Sequence, residues 1–152
     1  MNTAEDYAGP IAGIESIWRG ERLIAYVIRA AAASPETSFF TGDDAAFQAG
    51  FVVYPAGGTV VPHVHRPIER NVVGTSELLI VRKGRCIVDL YGEDQVFVAS
   101  RELVTGDTVL LIEGGHGFRM IDDTVLFEVK QGPYGGQAEK VRFDPPPEPS
   151  TE

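Results

Sequence analysis

Cysteine is nearly missing from this chain: Cys86 stands alone among 152 residues. One thiol cannot close an internal disulfide, which excludes a small secreted scaffold held by disulfide bridges. Cys86 itself follows a turn in an apolar run and reads as a small buried hydrophobe. Long apolar runs are missing too; none approaches the roughly 18 residues that a membrane-spanning helix needs. Positive charge is scarce, with 13 Lys and Arg against 22 Asp and Glu and a formal net charge of −9. That excess of acid repels phosphate backbones and anionic bilayers, so neither nucleic acid nor membrane is expected as a partner. The opening MNTAEDYAGP is acidic and has no apolar h-region. It does not read as a signal peptide, and we expect a soluble, cytoplasmic protein. Sustained 3.6-residue periodicity is also absent. Residues 30–36 are the one weak helix candidate, and Pro35 limits it.

What is present is a balanced globular composition, 43% hydrophobic and 23% charged, in a length that suits one domain. Seventeen Gly and ten Pro punctuate short runs rich in Val, Ile, Leu, Phe and Tyr. Such runs suit strands. IESIWRGERLIAYVIRA reads as a hairpin turning near Gly20. FQAGFVVYPAGG reads as a strand ending in a turn. TVVPHVH reads as another strand, with Pro62 marking an edge or a bend. ELLIVRKGRCIVDLYG reads as two strands joined by a tight, solvated hairpin turn at Lys83–Gly84. QVFVASREL, DTVLLI, GFRMI and TVLFEVKQG complete the series. The spacing predicts an all-β sandwich or barrel. The ending DPPPEPSTE has no core-forming residues and reads as a disordered tail.

Two of the three histidines, His63 and His65, lie one residue apart. In a strand they would point to one face, their Cα atoms about 6.5–7 Å apart. Two imidazoles so placed can converge on one ion; ordinary surface or core histidines are the alternative. His116 lies far along the chain between Gly115 and Gly117, where the backbone is free to bend or approach another group. No nucleophile–histidine–acid triad and no dinucleotide-binding glycine motif is identifiable.

The stretch 57–132 resembles the cupin superfamily, the small double-stranded β-helix barrels. Their first motif runs Gly, five residues, His-x-His, three or four residues, Glu, six residues, Gly. Gly57, His63 and His65 fit its opening. Their second motif runs Gly, five residues, Pro-x-Gly, two residues, His; Gly106, Gly114 and His116 follow it, with Ile112 in the proline position and His116 one residue early. The first motif is split: His65 to Glu69 fits one gap, Glu77 to Gly84 the other, with RPIERNVVGTS between them reading as an insertion. The ending EVKQGPY is similar to that of small bacterial cupin-fold metalloproteins encoded with surface-polysaccharide genes. The resemblance implies a double-stranded β-helix (jelly-roll) barrel with an N-terminal β-hairpin extension. It also implies a divalent metal (Fe, Mn, Ni, Co or Zn) held by three histidines and a glutamate.

Glu77 opens a strongly strand-like run and is preferred over Glu69 as the carboxylate ligand, because a ligand must be held by rigid structure. Glu69 sits in the insertion, flanked by Arg66 and Arg70; its ordinary role would be a solvated carboxylate pairing with one of them. The expected metal ligands are therefore His63, His65, Glu77 and His116. Glu128 and Lys130 share one face of TVLFEVKQG and are candidate acid–base or substrate-orienting groups, or else a solvated ion pair. Arg66, Arg70, Glu69 and Tyr134 are candidate substrate contacts, the arginines for an anionic group. We expect one domain over residues 1–143, with the metal-site core at 47–132 and the tail at 144–152. Edge strands at the N-terminus invite pairing of two copies as a homodimer. The expected function is a metal-dependent enzyme, of oxygenase or isomerase type, acting on a small polar molecule; the alternative is a non-catalytic small-molecule- or sugar-binding cupin.

Overall fold

The computed structural model describes residues 11–145; the N-terminal decapeptide and most of the proline-rich tail lie outside the described residues. β1 (Ile14–Arg19) and β2 (Arg22–Ile28) form the expected hairpin, turned at Gly20 with a φ of 59°. β3 (Ser38–Phe39) and β4 (Gly50–Phe51) form a separate two-stranded ladder. β5 (Glu77–Lys83), β6 (Arg85–Tyr91), β7 (Phe97–Val104), β8 (Thr108–Leu111), β9 (Gly115–Met120) and β10 (Val125–Lys130) follow. A 3-10 turn spans Gln137–Glu139. The fold is all-β, and every strand pairing is antiparallel. The helix candidate at 30–36 is turn and irregular chain; Pro35 and the short run leave too little to nucleate a helix.

Two sheets make the body. One runs in the order β1-β2-β8-β5-β10, the other β7-β6-β9. Alternation sends one set of side chains between them. The register aligns Ala25, Leu111, Glu77 and Lys130 in one row across the first sheet, and Val27, Val109, Leu79 and Glu128 in the next. Opposite them, Cys86, Val88 and Leu90 of β6 are fully buried, and Phe118 of β9 packs against the same cluster. Cys86 is thus the small core residue expected, and its burial pushes the thiol pKa up.

Three expectations change. The described strands form an open sandwich, not a closed barrel: β10 and β9 each hydrogen-bond on one side only. Lys83–Gly84 is not a hairpin turn, because β5 and β6 belong to different sheets. The chain crosses between sheets there, with Gly84 at a φ of 81° and so close to Asp123 that a Cβ would collide with its carbonyl oxygen. Finally, TVVPHVH forms no strand. Residues 52–76 contain none, and FQAGFVVYPAGG is reduced to the two residues of β4. A strand exists only where a neighbour supplies the other half of its ladder. Among the described residues, 59–73 make one hydrogen bond, internal to the segment, between His63 Nδ1 and the Val61 carbonyl at 2.9 Å.

Candidate functional site

Glu77 and His116 come together although 38 residues separate them. Glu77 begins β5, and the residue before it is clamped. The Ser76 N–H donates to Gln131 Oε1 at 2.8 Å, and its hydroxyl donates to the Ile112 carbonyl at 3.1 Å. These bonds, with the ladders to β8 and β10, fix the start of the strand. Glu77 is 4% exposed and points between the sheets. His116 pairs with Leu90 across the β6–β9 ladder and shares its inward face. Gly114 turns the chain into β9 at a φ of 79°, against the Tyr91 carbonyl, where no Cβ would fit. The result is a contact between the two sheets: His116 Nε2 lies 3.0 Å from Glu77 Oε2.

Burial dominates the electrostatics of His116 and pulls its pKa below the usual 6.5; the charge of Glu77 opposes this, and Lys140 adds to it. The imidazole is therefore neutral at neutral pH, the form that can offer a lone pair to a metal. Glu128 also acts on His116 electrostatically, as its place on the inward row of β10 requires. Lys130 stands opposite Glu77 across the β5–β10 ladder, and its Nζ lies 5.1 Å from the centre of the Tyr134 ring. Glu128 and Lys130 thus lie on the side of the sheet that faces the gap, not on its outer apolar face with Val125, Phe127 and Val129. Tyr134 is exposed and serves as a platform for Lys130.

A cavity of about 630 Å³ contains Glu77 and His116, walled by Tyr91, Leu111, Lys140 and Phe143 among others. Phe143 stacks edge-on against Tyr91 at 5.1 Å and lies over Gly115. Sequence reasoning missed this wall. Its one local signal was an aromatic residue in an otherwise polar stretch. A larger groove of about 1,410 Å³ shares part of the wall, including Glu113, Gly114 and Phe143, but touches neither Glu77 nor His116; the chemistry belongs to the smaller space. Glu113 is held there by Arg22, whose Nε donates to it at 2.6 Å.

The other sequence candidates lie elsewhere. His63 and His65 are exposed, their ring centres 5.2 Å apart, outside the cavity that holds Glu77 and His116. Glu69, Arg66 and Arg70 are exposed in the same segment, and no ion pair joins them among the described residues. Among the described residues no group of three or more His, Cys, Asp or Glu side chains is close enough together to hold a metal. A carboxylate facing a neutral imidazole suits a borderline divalent cation. The pair Glu77 and His116 therefore fits half of the implied donor set, and one copy of the chain does not assemble the other half. Comparison with known proteins is silent: no family model, no curated protein and no solved structure matches the chain.

Proposed function

We propose that this protein is a metal-binding cupin-type β-sandwich acting on a small polar molecule. Glu77 and His116 form the fixed part of its metal site, and His63 and His65 supply the remaining ligands. One observation carries this reading: a buried carboxylate and a neutral imidazole, from different sheets, meet 3.0 Å apart in a cavity large enough for a small molecule. A bound Fe, Mn, Ni, Co or Zn ion would supply Lewis-acid chemistry there, or dioxygen chemistry if redox-active. The chain's own residues do the rest. Without metal, His116 Nε2–H donates to Glu77 and the ring's orientation is fixed; an ion held by both groups would take the place of that proton. Tyr91 and Phe143 exclude water from one side of the cavity. Lys130, steadied over Tyr134, offers a positive charge to an anionic group, and Glu128 offers a carboxylate for proton transfer. Oxygenase-type or isomerase-type turnover is the leading activity.

A second reading, a non-catalytic binder of a small molecule or sugar with a degenerate site, draws support from Ile112 standing in the proline position of the second cupin motif. Metal analysis of tag-free protein separates these readings from a site with no metal role. Wild type is expected to carry near-stoichiometric divalent metal, and Glu77→Gln and His116→Ala to lose it. A folded wild type that takes up none of the five metals overturns the proposal. Oxygen uptake or product formation across diketone, thiol, amino-acid and nucleotide-sugar substrates then distinguishes enzyme from binder.

A further inference from the structure

After β10 the chain runs back along the cavity that holds Glu77 and His116, as residues 139–143. Lys140 has extended backbone, with φ −120° and ψ 133°. Extended chain sends alternate side chains to opposite sides. The walls record that alternation. Glu139, Val141 and Phe143 border both the small cavity and the larger groove, whereas Lys140 and Arg142 border the small cavity alone. The stretch is thus a partition between the two spaces, with both cations on the side of Glu77 and His116. Lys140 is near enough for its charge to act on the imidazole.

These two cations hold no part of the fold together. Six arginines of the body each bridge a carboxylate; among the described residues Lys140 and Arg142 bridge none. The carboxylates in the cavity wall have other partners. Glu77 meets His116 at 3.0 Å, Glu113 accepts from Arg22 at 2.6 Å, and Glu139 accepts from the Thr75 hydroxyl and the Gly135 N–H, both at 3.1 Å. Glu128 and Lys130 add one charge of each sign from β10. Asp144 borders neither space and bridges neither cation. Arg82 and Lys83 are also unbridged, but they lie at the far end of β5 from Glu77. Lys140 and Arg142 therefore face the cavity with donors to spare.

We infer that the small molecule taken by this cavity is an organic carboxylate, its anionic end held by Lys140 and Arg142 and its apolar body laid against Tyr91, Leu111 and Phe143. This rests on the reading of the Glu77–His116 cavity as the substrate site. A guanidinium presents a planar fork that matches the two oxygens of a carboxylate, and an ammonium adds a mobile point charge. A single negative charge suits the space, because the four carboxylates on this side are matched by four cations, Arg22, Lys130, Lys140 and Arg142. A phosphate dianion would bring its second charge against Glu77, Glu113 and Glu139. The two rings and Leu111 give hydrocarbon surface to the rest of the molecule, in a volume that suits a small ligand.

Calorimetric titration of the tag-free protein with benzoate, benzyl alcohol and phenyl phosphate tests the assignment. Benzoate is expected to bind about tenfold more tightly than benzyl alcohol, which has the same ring and no charge. Lys140→Gln with Arg142→Gln is expected to remove that margin and to leave benzyl alcohol unchanged. Both residues are exposed and outside every strand, so the fold does not depend on them. Added salt gives a check that needs no variant: it should weaken benzoate and spare benzyl alcohol. No binding of benzoate at millimolar concentration, or equal binding of benzoate and benzyl alcohol, overturns the inference. So does benzoate binding that the double variant leaves intact, or phenyl phosphate binding tighter than benzoate. Metal analysis of the same samples separates the two readings. Protein that holds metal but fails these titrations keeps the metal site and loses the carboxylate clamp. Protein that takes up no metal yet passes them keeps the clamp and loses the metal site.

Discussion

The sandwich body and the segment 52–73 are built from similar residues and end in opposite states. ELLIVRK in β5 and TVVPHVH in the segment are both rich in aliphatic and β-branched side chains. Leu79 and Val81 of the first are buried to within a few per cent, whereas Val61 and Val64 of the second are 78% and 89% exposed. The difference is not propensity. β5 lies between β8 and β10 and has partners on both sides; the segment is tied to the body only through Val53, which bonds Thr37, and residues 59–73 have no ladder partner among the described residues. Burial and hydrogen bonding in a β-protein belong to the pairing, not to the strand.

The contrast can be broken most forcefully from the body. Leu90→Ala, in the fully buried interior of β6, is expected to cost about 3 kcal/mol, read from the midpoint of denaturant unfolding. Asp107→Ala comes next. This 2%-exposed carboxylate accepts from the Ala30 N–H at 2.8 Å, Arg29 Nη1 at 2.9 Å and the Val104 N–H at 3.1 Å, pinning β2 to the turn before β8. Its loss is expected to cost about 2 kcal/mol in the same measurement.

A smaller effect appears in acid. Two hydrogen bonds from Arg119, and one from Ser100, hold the Asp89 carboxyl below its ordinary 3.8 against the opposing effect of burial. A depressed folded-state pKa stabilises the protein above the unfolded value, and that stability disappears as pH falls through the folded one. Asp89→Asn is therefore expected to cost about 1 kcal/mol at pH 7 and to flatten the loss of stability below pH 3.8. The smallest effect belongs to the segment. Val64→Ala should shift the unfolding free energy by less than about 0.5 kcal/mol. Trypsin should cut the chain after Arg70 before any bond within a strand.

Much of the fold was legible because strand alternation and glycine turns are local. The β1–β2 hairpin, the runs that became β7 to β10, and the all-β class follow from residue type and spacing. Glu77 was readable as a rigidly held carboxylate, since a ligand at the head of ELLIVRKG could be argued from the strand alone. Three features were not legible. A glycine between two strands looks the same whether the chain folds back on one sheet or crosses to another, so Gly84 was misread. The cavity wall at Lys140–Phe143 depends on a distant stretch docking on Tyr91. And the histidine pair satisfied the alternation of a strand while the sequence carried no statement of which edge that strand would join.

Gly84 has a mechanical consequence. It joins β5 to β6 at one end of the sandwich, and Glu77 and His116 meet at the other, His116 through its pairing with Leu90. The chain forms a pair of tongs, with the pivot at Gly84 and the jaws at the carboxylate and the imidazole. Each arm is roughly 20 Å long at about 3.3 Å per residue. Over that length a turn of roughly 3° at the pivot moves the jaw by about 1 Å, more than the difference in radius between the candidate cations. Were the proposed ion to bind between the jaws, its fit would be set in part by a glycine that never approaches it.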